Sequence, residues 1–202
     1  MHKNQTRIIL IKIYNNLVFR IRILFYGYCK GVNVHKIGNI KLSKNVVIGD
    51  YSVLTTGDIG EIKIDNSVSI GMNAWIASGN GKVLIGKECL FGPRVTIVAQ
   101  NHSTQELNFN NFLPWCRDSN PVTTTIGDRC SIGANVTILP GSNIGNYSNI
   151  AANSVVNGSY PPGSLIGGIP AKILKSYVIP QDIDTHLFYG KPPYRHTSIK
   201  FY

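Results

Sequence analysis

A six-residue repeat dominates the sequence. An aliphatic residue recurs at every sixth position, without a break, at Ile126, Ile132, Ile138, Ile144, Ile150 and Val156. Glycine or alanine often follows it, and four positions after it comes a small or β-branched residue: Cys130, Val136, Ser142, Ser148 and Ser154. A period of six fits neither a helix of 3.6 residues per turn nor an ordinary hairpin array. It predicts a coil in which each hexad forms one short strand and one corner, and three hexads form one triangular turn.

The same unit occurs earlier, less regularly, beginning at Ile48, Ile64, Ile70, Ile85 and Phe91, so repeats cover most of residues 42–157. We expect the aliphatic side chain to point inward and the small residue to let the chain turn close to it. We expect glycine because it accepts unusual dihedral angles at the corners. Cys89 and Cys130 occupy the small inward position, which predicts buried thiols without chemistry.

The chain has 202 residues, which suits a single core, and its 20 glycines and 15% charged residues favour short strands and turns over helices. The expected fold is mostly β. We predict a basic, apolar and helical segment over residues 1–41, the coil over 42–175, and a short helix or irregular tail over 176–202.

Positive charge is concentrated near the amino terminus. The formal net charge is +10, and nine basic residues precede the first acid, Asp50: Lys3, Arg7, Lys12, Arg20, Arg22, Lys30, Lys36, Lys41 and Lys44. Such a region could contact an anionic membrane surface, an acidic glycan or nucleic acid, or be a solvated surface. No known nucleic-acid-binding module accompanies these charges, so we expect no nucleic-acid partner.

The apolar stretch from residue 7 to 28 is interrupted by Lys12, Arg20 and Arg22, and it is therefore too short to span a bilayer. It also lacks the cleavage pattern of a signal peptide. Two interpretations stay open: a helix packed on the domain, or an interfacial helix in peripheral contact with the membrane. The four cysteines form no CxxC pair, so neither zinc nor a disulfide framework is indicated. A cytoplasmic protein, free or on the inner face of the membrane, is expected.

The repeat stops after Ile97 and resumes at Ile126. The intervening segment, about residues 98–124, is too polar for a coil wall, so it is expected to protrude as a loop. Functional residues concentrate on long loops that a rigid scaffold holds. This loop opens with Asn101 and His102 directly after a repeat strand.

The hexads, followed by Pro161-Pro162-Gly163-Ser164 and Gly168-Ile169-Pro170-Ala171-Lys172, resemble the hexapeptide-repeat acyltransferases. That family includes galactoside, maltose, xenobiotic and surface-polysaccharide O-acetyltransferases, and the resemblance spans about residues 45–177. It implies a left-handed parallel β-helix, a homotrimer with active sites between subunits, and acetyl-CoA as co-substrate without a metal. The left hand comes from the resemblance alone, because ordinary crossovers are right-handed.

The resemblance also implies site residues. His102 falls where the galactoside enzymes have their catalytic histidine, and a neutral imidazole can take the proton of a sugar hydroxyl. The implied cofactor-binding residues are Ala134, Ala152, Asn157, Lys172 and Lys175. The implied substrate-binding residues are Asn80, Asn101 and Trp115, the last on a loop longer than in the galactoside enzymes. Two departures are Ser131, where many of these enzymes carry Trp, and Asn80, near which the family has an acceptor-site Asp.

The expected function is therefore acetyl-CoA-dependent O-acetylation of a sugar hydroxyl in a bacterial surface polysaccharide: capsule, O-antigen or exopolysaccharide. The alternatives are O-acetylation of an antibiotic and N-acetylation of a nucleotide-linked amino sugar. A non-enzymatic β-helical scaffold is a further alternative, because a fold does not fix a function. His102, Lys172 and the Gly-x-Pro-Ala-Lys sequence argue against it, since a pure scaffold needs none of them.

Overall fold

The computed structural model describes residues 32–35, 39–101 and 121–179, which form a left-handed parallel β-helix with three flat sheets. Sheet A contains β1 (Asn33–His35), β4 (Val53–Thr56), β7 (Trp75–Gly79), β10 (Thr96–Val98), β13 (Thr137–Ile138) and β16 (Val155–Val156). Sheet B contains β2 (Ile40–Leu42), β5 (Glu61–Ile64), β8 (Lys82–Ile85), β11 (Thr123–Ile126), β14 (Asn143–Ile144) and β17 (Ser159–Tyr160). Sheet C contains β3 (Val47–Ile48), β6 (Ser69–Ile70), β9 (Leu90–Phe91), β12 (Ser131–Ile132), β15 (Asn149–Ile150), β18 (Ser164–Gly168) and β19 (Ala171–Ser176).

Each turn of the coil visits sheets A, B and C in that order, so β1–β3 form coil 1 and the following triplets form coils 2 to 6, ending at β18. We call the bends between the sheets the AB, BC and CA corners. Equivalent positions of successive coils pair in parallel: Ile97 pairs with Ile138, and Ile126 with Ile144. This register confirms the predicted triangular coil.

The predicted inward positions form the core. Aliphatic residues of successive coils stack along the axis and are almost fully buried, together with one phenylalanine: Leu54, Ile76, Ile97 and Ile138 on sheet A, Ile62, Val83, Ile126 and Ile144 on sheet B, and Ile70, Phe91, Ile132 and Ile166 on sheet C. Burial of such a side chain contributes roughly 1.5–3 kcal/mol relative to exposure. The stacked columns therefore stabilise the β-helix.

Within the described ranges, ten residues other than glycine adopt the left-handed conformation, and they recur at one position of the BC and CA corners. They are Asn45, Ser67, Glu88, Arg129 and Tyr147 at BC corners, and Tyr51, Asn73, Arg94, Asn135 and Asn153 at CA corners. The recurring glycine of the hexad lies two positions earlier. A Cβ on Gly133 would lie 2.5 Å from the backbone nitrogen of Ala152 in the next coil. The predicted reason for these glycines was thus wrong: close contact between coils, and not an unusual φ, requires them.

Small inward residues satisfy backbone carbonyl groups at the corners. Cys89 and Cys130 are buried, as predicted, and their thiols lie 3.1 Å and 3.3 Å from the carbonyl oxygens of Gly127 and Gly145. Serines take the same role: the hydroxyl of Ser154 donates to the carbonyl of Ala151. A buried carbonyl without a partner would be costly, so these side chains stabilise the turns.

The two ends of the coil differ from the sequence prediction. The first strand begins at Asn33, ahead of the expected boundary at residue 42, and the helix expected over residues 1–41 lies mostly outside the described residues. At the other end, Ala171–Ser176 form β19, which pairs antiparallel with β18 and so covers the end of sheet C. The tail beyond residue 179 lies outside the described residues. In the described ranges, no helix is long and apolar enough to cross a membrane.

Candidate active site

The AB corner of coil 4 is where the long insertion leaves the coil. β10 ends at Val98, and Asn101 is exposed at the last described position before the insertion. The chain is described again from Pro121 and enters sheet B at Thr123. His102 and Trp115 lie in the insertion and therefore outside the described residues. Their predicted roles stay predictions.

Below this opening, Asn80 and Gln100 pack against each other on adjacent coils. The backbone N–H of Asn80 donates to Oε1 of Gln100 at 2.7 Å. A Cβ on Gly79 would lie 1.9 Å from that oxygen, so glycine is required there. Oδ1 of Asn80 and Nε2 of Gln100 are buried and have no hydrogen-bond partner among the described residues. An acceptor and a donor able to bond a hydroxyl group thus lie beside the start of the insertion.

Ala134 and Ala152 lie on a different corner of the prism, the CA corner, in adjacent coils. Their backbones are joined by way of Asn153, whose N–H donates to the carbonyl of Ala134 at 3.0 Å. Ala134 is half-buried and Ala152 is exposed. Because both side chains are single methyl groups, they leave this corner open along its length, which suits an extended ligand that follows the backbone.

The last coil brings Asn157 close to the start of β19. The hydroxyl of Tyr160 lies 3.2 Å from the carbonyl oxygen of Asn157 and 3.0 Å from that of Ala171. Tyr160 therefore fixes the strand on which Lys172 and Lys175 lie. Both lysines are exposed, and Nζ of Lys175 lies 4.9 Å from the ring centroid of Tyr177. Exposed ammonium groups on a rigid strand could bind phosphates.

Ion pairs on sheet B and at the BC corners contribute nothing to the candidate corners. On sheet B, Lys41 donates to Glu61 at 2.6 Å, and this hydrogen bond lowers the pKa of the Glu61 carboxyl. At the BC corners, Nε of Arg129 lies 2.5 Å from the carboxylate of Glu88, and another guanidinium nitrogen donates to the hydroxyl of Tyr147. The hydrogen bond to Glu88 raises the pKa of Arg129. These contacts link neighbouring coils and contribute no group to either candidate corner.

The buried thiols also stay outside the site. The hydrogen bond with Cys130 and burial both raise the pKa of Cys89, so this thiol stays protonated and unreactive. The described ranges contain no group of three His, Cys, Asp or Glu residues that could hold a metal ion.

The described site residues thus fall on different sides of one subunit. Asn80, Asn101 and Asn157 lie at AB corners, whereas Ala134 and Ala152 lie at CA corners, with sheet A between them. Lys172 and Lys175 lie on β19 of sheet C. One copy of the chain does not bring the predicted substrate-binding residues and the two alanines together. Sequence reasoning missed Gln100 and Tyr160. Gln100 is the polar residue just before Asn101, and Tyr160 follows Ile144 at the carboxy-terminal end of the inward column of sheet B.

Comparison with known proteins identifies the lineage of this arrangement. The repeat profile "Bacterial transferase hexapeptide (six repeats)" matches residues 123–158. WbbJ of Escherichia coli K12, named for an O-acetyl transferase of lipopolysaccharide biosynthesis, is 33% identical over 162 residues, which cover 76% of this chain and 82% of WbbJ. The chain belongs to the hexapeptide-repeat transferase family. It is accordingly an acyltransferase.

One further enzyme and one solved structure are similar to parts of this chain. The galactoside O-acetyltransferase of Escherichia coli K12 is 33% identical over 108 residues, which cover 53% of this chain and 49% of that enzyme. Among solved structures, a point mutant of AntD, an N-acyltransferase from Bacillus cereus, superimposes with a TM-score of 0.64 over 74% of this chain and 79% of AntD at 19% identity. The AntD likeness confirms the fold.

Proposed function

We propose that this acyltransferase transfers an acetyl group from acetyl-CoA to a sugar hydroxyl of a bacterial surface polysaccharide, with His102 as the general base. The observation that carries the proposal is the single long interruption of the described coil, at the AB corner of coil 4, which opens with Asn101 and His102. The likeness to WbbJ over 82% of its length supports a polysaccharide acceptor.

The proposed chemistry is direct transfer without an acyl-enzyme. Neutral His102 accepts the proton of the acceptor hydroxyl while the hydroxyl oxygen attacks the thioester carbonyl carbon. The carbon–sulfur bond breaks, the sugar ester forms, and the imidazolium returns the proton to the departing thiolate. Oδ1 of Asn80 can accept a hydrogen bond and Nε2 of Gln100 can donate one. Beside the loop opening, these two groups would orient the hydroxyl groups of the sugar.

The residues of the CA corner fit the donor. Coenzyme A has a long pantetheine arm and several phosphates. The open corner at Ala134 and Ala152 suits the arm, and exposed Lys172 and Lys175 suit the phosphates. Asn157 lies across sheet A, at the AB corner of coil 6, and would reach a donor bound by the next subunit of an assembly. No metal is needed, because the thioester is already activated and the base supplies the proton transfer.

The separation of the two corners supports a homotrimer. Sheet A lies between the AB and CA corners, and the outward side chains that the structure describes from β4 to β16 carry no charge: Val53, Thr55, Trp75, Ala77, Thr96, Val98, Thr137 and Val155. Sheet B, in contrast, carries Lys41, Glu61, Lys63 and Lys82. Depletion of charge is typical of interface cores. If sheet A faces a shared three-fold axis, the AB corner of each subunit lies beside the CA corner of the next.

Release of free coenzyme A from acetyl-CoA tests the function. Wild type, His102→Ala and a matched control, His35→Ala in β1, are assayed with neutral and acidic oligosaccharides, nucleotide-linked amino sugars and hydroxyl-bearing antibiotics. We expect turnover on an oligosaccharide that falls about 10²–10⁴-fold in His102→Ala and stays unchanged in the control. Turnover on an oligosaccharide that survives His102→Ala would remove the histidine from the mechanism. Turnover only on an amino sugar or an antibiotic would show that the acceptor is that compound and not a polysaccharide.

Light scattering and one charge substitution test the assembly. We expect the mass of a trimer for the wild type. Thr137→Arg places a charge in the middle of sheet A and should give monomers without activity, whereas Asn143→Arg on sheet B should leave both trimer and activity intact. A monomeric wild type with full activity would contradict the shared site.

A further inference from the structure

Two large apolar side chains are exposed together at the amino-terminal end of the CA corner. Tyr51 is 69% exposed and Met72 53%. We call them the Tyr51 patch. They lie at CA corners of successive coils, which are joined by a hydrogen bond from the N–H of Asn73 to the carbonyl of Asp50 at 2.9 Å. Trp75, which begins β7, faces outward on sheet A and so belongs to the proposed subunit interface and not to the patch.

Tyr51 occupies a backbone position that does not favour tyrosine. Its φ is 60°, in the left-handed region, and three equivalent CA positions hold asparagine: Asn73, Asn135 and Asn153. Asparagine tolerates this region better than a bulky residue. Tyr147, a tyrosine with nearly the same φ at a BC corner, accepts a hydrogen bond from Arg129 at 2.7 Å. No comparable contact within the described residues accounts for the Tyr51 ring.

The patch lies on the same corner as Ala134 and Ala152, but at the opposite end. Successive strands of a sheet are about 4.8 Å apart, so the corner of Tyr51 lies two coils, roughly 10 Å, below the corner of Pro93 and Arg94 at the start of coil 4. Coil 4 carries the insertion with His102. In the proposed trimer, the patch therefore faces the same cleft as the site, on the side away from the cofactor groove.

We infer that the Tyr51 patch is a remote acceptor subsite that binds a sugar ring one or two residues away from the acetylated sugar. This inference rests on the proposed function and deepens it, because it selects an oligomeric or polymeric glycan over a monosaccharide. The apolar face of a pyranose stacks on an aromatic ring, and Tyr51 offers such a ring on a rigid scaffold. A thioether such as Met72 packs against the same surface with little selectivity.

Residues at the equivalent positions of the later coils indicate substitutions that should leave the fold intact. Tyr51→Asn introduces the residue found at Asn73, Asn135 and Asn153, and Met72→Ala introduces the residue found at Ala134 and Ala152. The double variant thus gives the amino-terminal corner the sequence of the carboxy-terminal one. Leu90→Asn is the matched control, because Leu90 is 57% exposed on sheet C, away from the cleft.

The test compares a monosaccharide with its trisaccharide as acceptor, using the pairs glucose and maltotriose, galactose and β-galactotriose, and N-acetylglucosamine and tri-N-acetylchitotriose. We expect kcat/KM for the trisaccharide to fall about tenfold in the double variant, as loss of one stacked ring and one apolar contact implies. The monosaccharide value, the KM for acetyl-CoA and the control should change less than about twofold, and the melting temperature should not fall.

Two results would overturn the inference while leaving the proposed function in place. One is equal loss, or no loss, on both acceptors of a pair that the wild type acetylates. The other is dissociation of the double variant into monomers, which would make the patch a contact between copies of the chain. Absence of acetyl transfer to every sugar by the wild type would instead refute the proposed function, and this inference with it.

Discussion

The two halves of the coil follow the same plan with different strictness. From β11 to β17 most strands have two residues, and the CA corners carry only alanine and asparagine at their exposed positions. From β1 to β10 several strands have four or five residues, the register shifts at Thr55 and Thr56, and the corners carry Tyr51 and Met72. The strict half presents a uniform groove, whereas the irregular half presents distinctive side chains. The proposed donor groove lies on the strict, carboxy-terminal half, and the proposed remote acceptor subsite lies on the irregular, amino-terminal half.

The largest expected effect comes from one glycine substitution in each half, which should destabilise the fold equally but change cofactor binding in only one half. A Cβ on Gly92 would lie 2.6 Å from the nitrogen of Ala134, and one on Gly49 would lie 2.4 Å from that of Met72. Gly92→Ala and Gly49→Ala should each lower the free energy of unfolding by about 1–3 kcal/mol, measured in urea. Only Gly92→Ala should also raise the KM for acetyl-CoA several-fold, because it displaces Ala134. Equal KM values for acetyl-CoA in the two variants would show that the cofactor groove is not confined to the carboxy-terminal half.

The next effect concerns charge. Replacing Lys172 and Lys175 together by alanine should raise the KM for acetyl-CoA about tenfold and weaken its dependence on salt, because two exposed ammonium groups no longer face the phosphates. Steady-state kinetics at two ionic strengths measures both changes. Lys63→Ala with Lys87→Ala removes the same charge from the amino-terminal coils and serves as the control. A similar rise in that control would reduce the effect to net charge.

A smaller effect concerns the junction of the halves. Glu88 of coil 3 and Arg129 of coil 4 are paired across the junction, with side chains only 25% and 14% exposed. Arg129→Met should lower the free energy of unfolding by about 1–2 kcal/mol, because the ion pair with Glu88 and the hydrogen bond to the Tyr147 hydroxyl are both lost. Arg94→Met changes an exposed arginine at the equivalent CA position and should cost less. Equal values in urea titrations would mean that the pair adds nothing at the junction.

The smallest effect lies within the amino-terminal half. The hydrogen bond from Lys41 lowers the pKa of Glu61 in the folded chain, so this pair stabilises the fold above the ordinary glutamate value of 4.5 and loses its contribution as the pH falls below it. Because Lys41 is 67% exposed and solvent screens its charge, the contribution of the pair is under about 1 kcal/mol. Glu61→Gln should flatten the fall in stability between about pH 5 and pH 3, measured by thermal unfolding, by about that amount. An unchanged pH profile would show that solvent screens the pair fully.

The sequence predicted the fold well because one periodicity determines it. The aliphatic residues from Ile126 to Ile150 are all buried, and Cys89 and Cys130 point inward as expected. The role of the corner glycines was misjudged, because the contact of Gly133 with the next coil depends on spacing between coils, which a local pattern does not contain. The strand at Ala171–Ser176 was missed for a similar reason, since it forms only by pairing with β18.

The site was predictable in part. The register of the hexads already placed Ala134 and Ala152 on one corner, since equal positions in successive coils stack. The pairing of Asn80 with Gln100 was not visible, because it depends on how the irregular bend at Gly79 and Gly81 lies against the next coil. Tyr51 could have been noticed by aligning the corners, where it replaces an asparagine.

The regular stacking of the coils also sets the distances between sites along the β-helix. The proposed donor groove and the proposed remote subsite lie along one axis, and the distance between them is fixed in steps of one strand spacing, about 4.8 Å. Insertion or deletion of a whole coil would therefore move a remote subsite by one strand spacing without altering the chemistry at the loop. In such an architecture, the position along a glycan chain at which an ester is placed can be reset by repeat number alone.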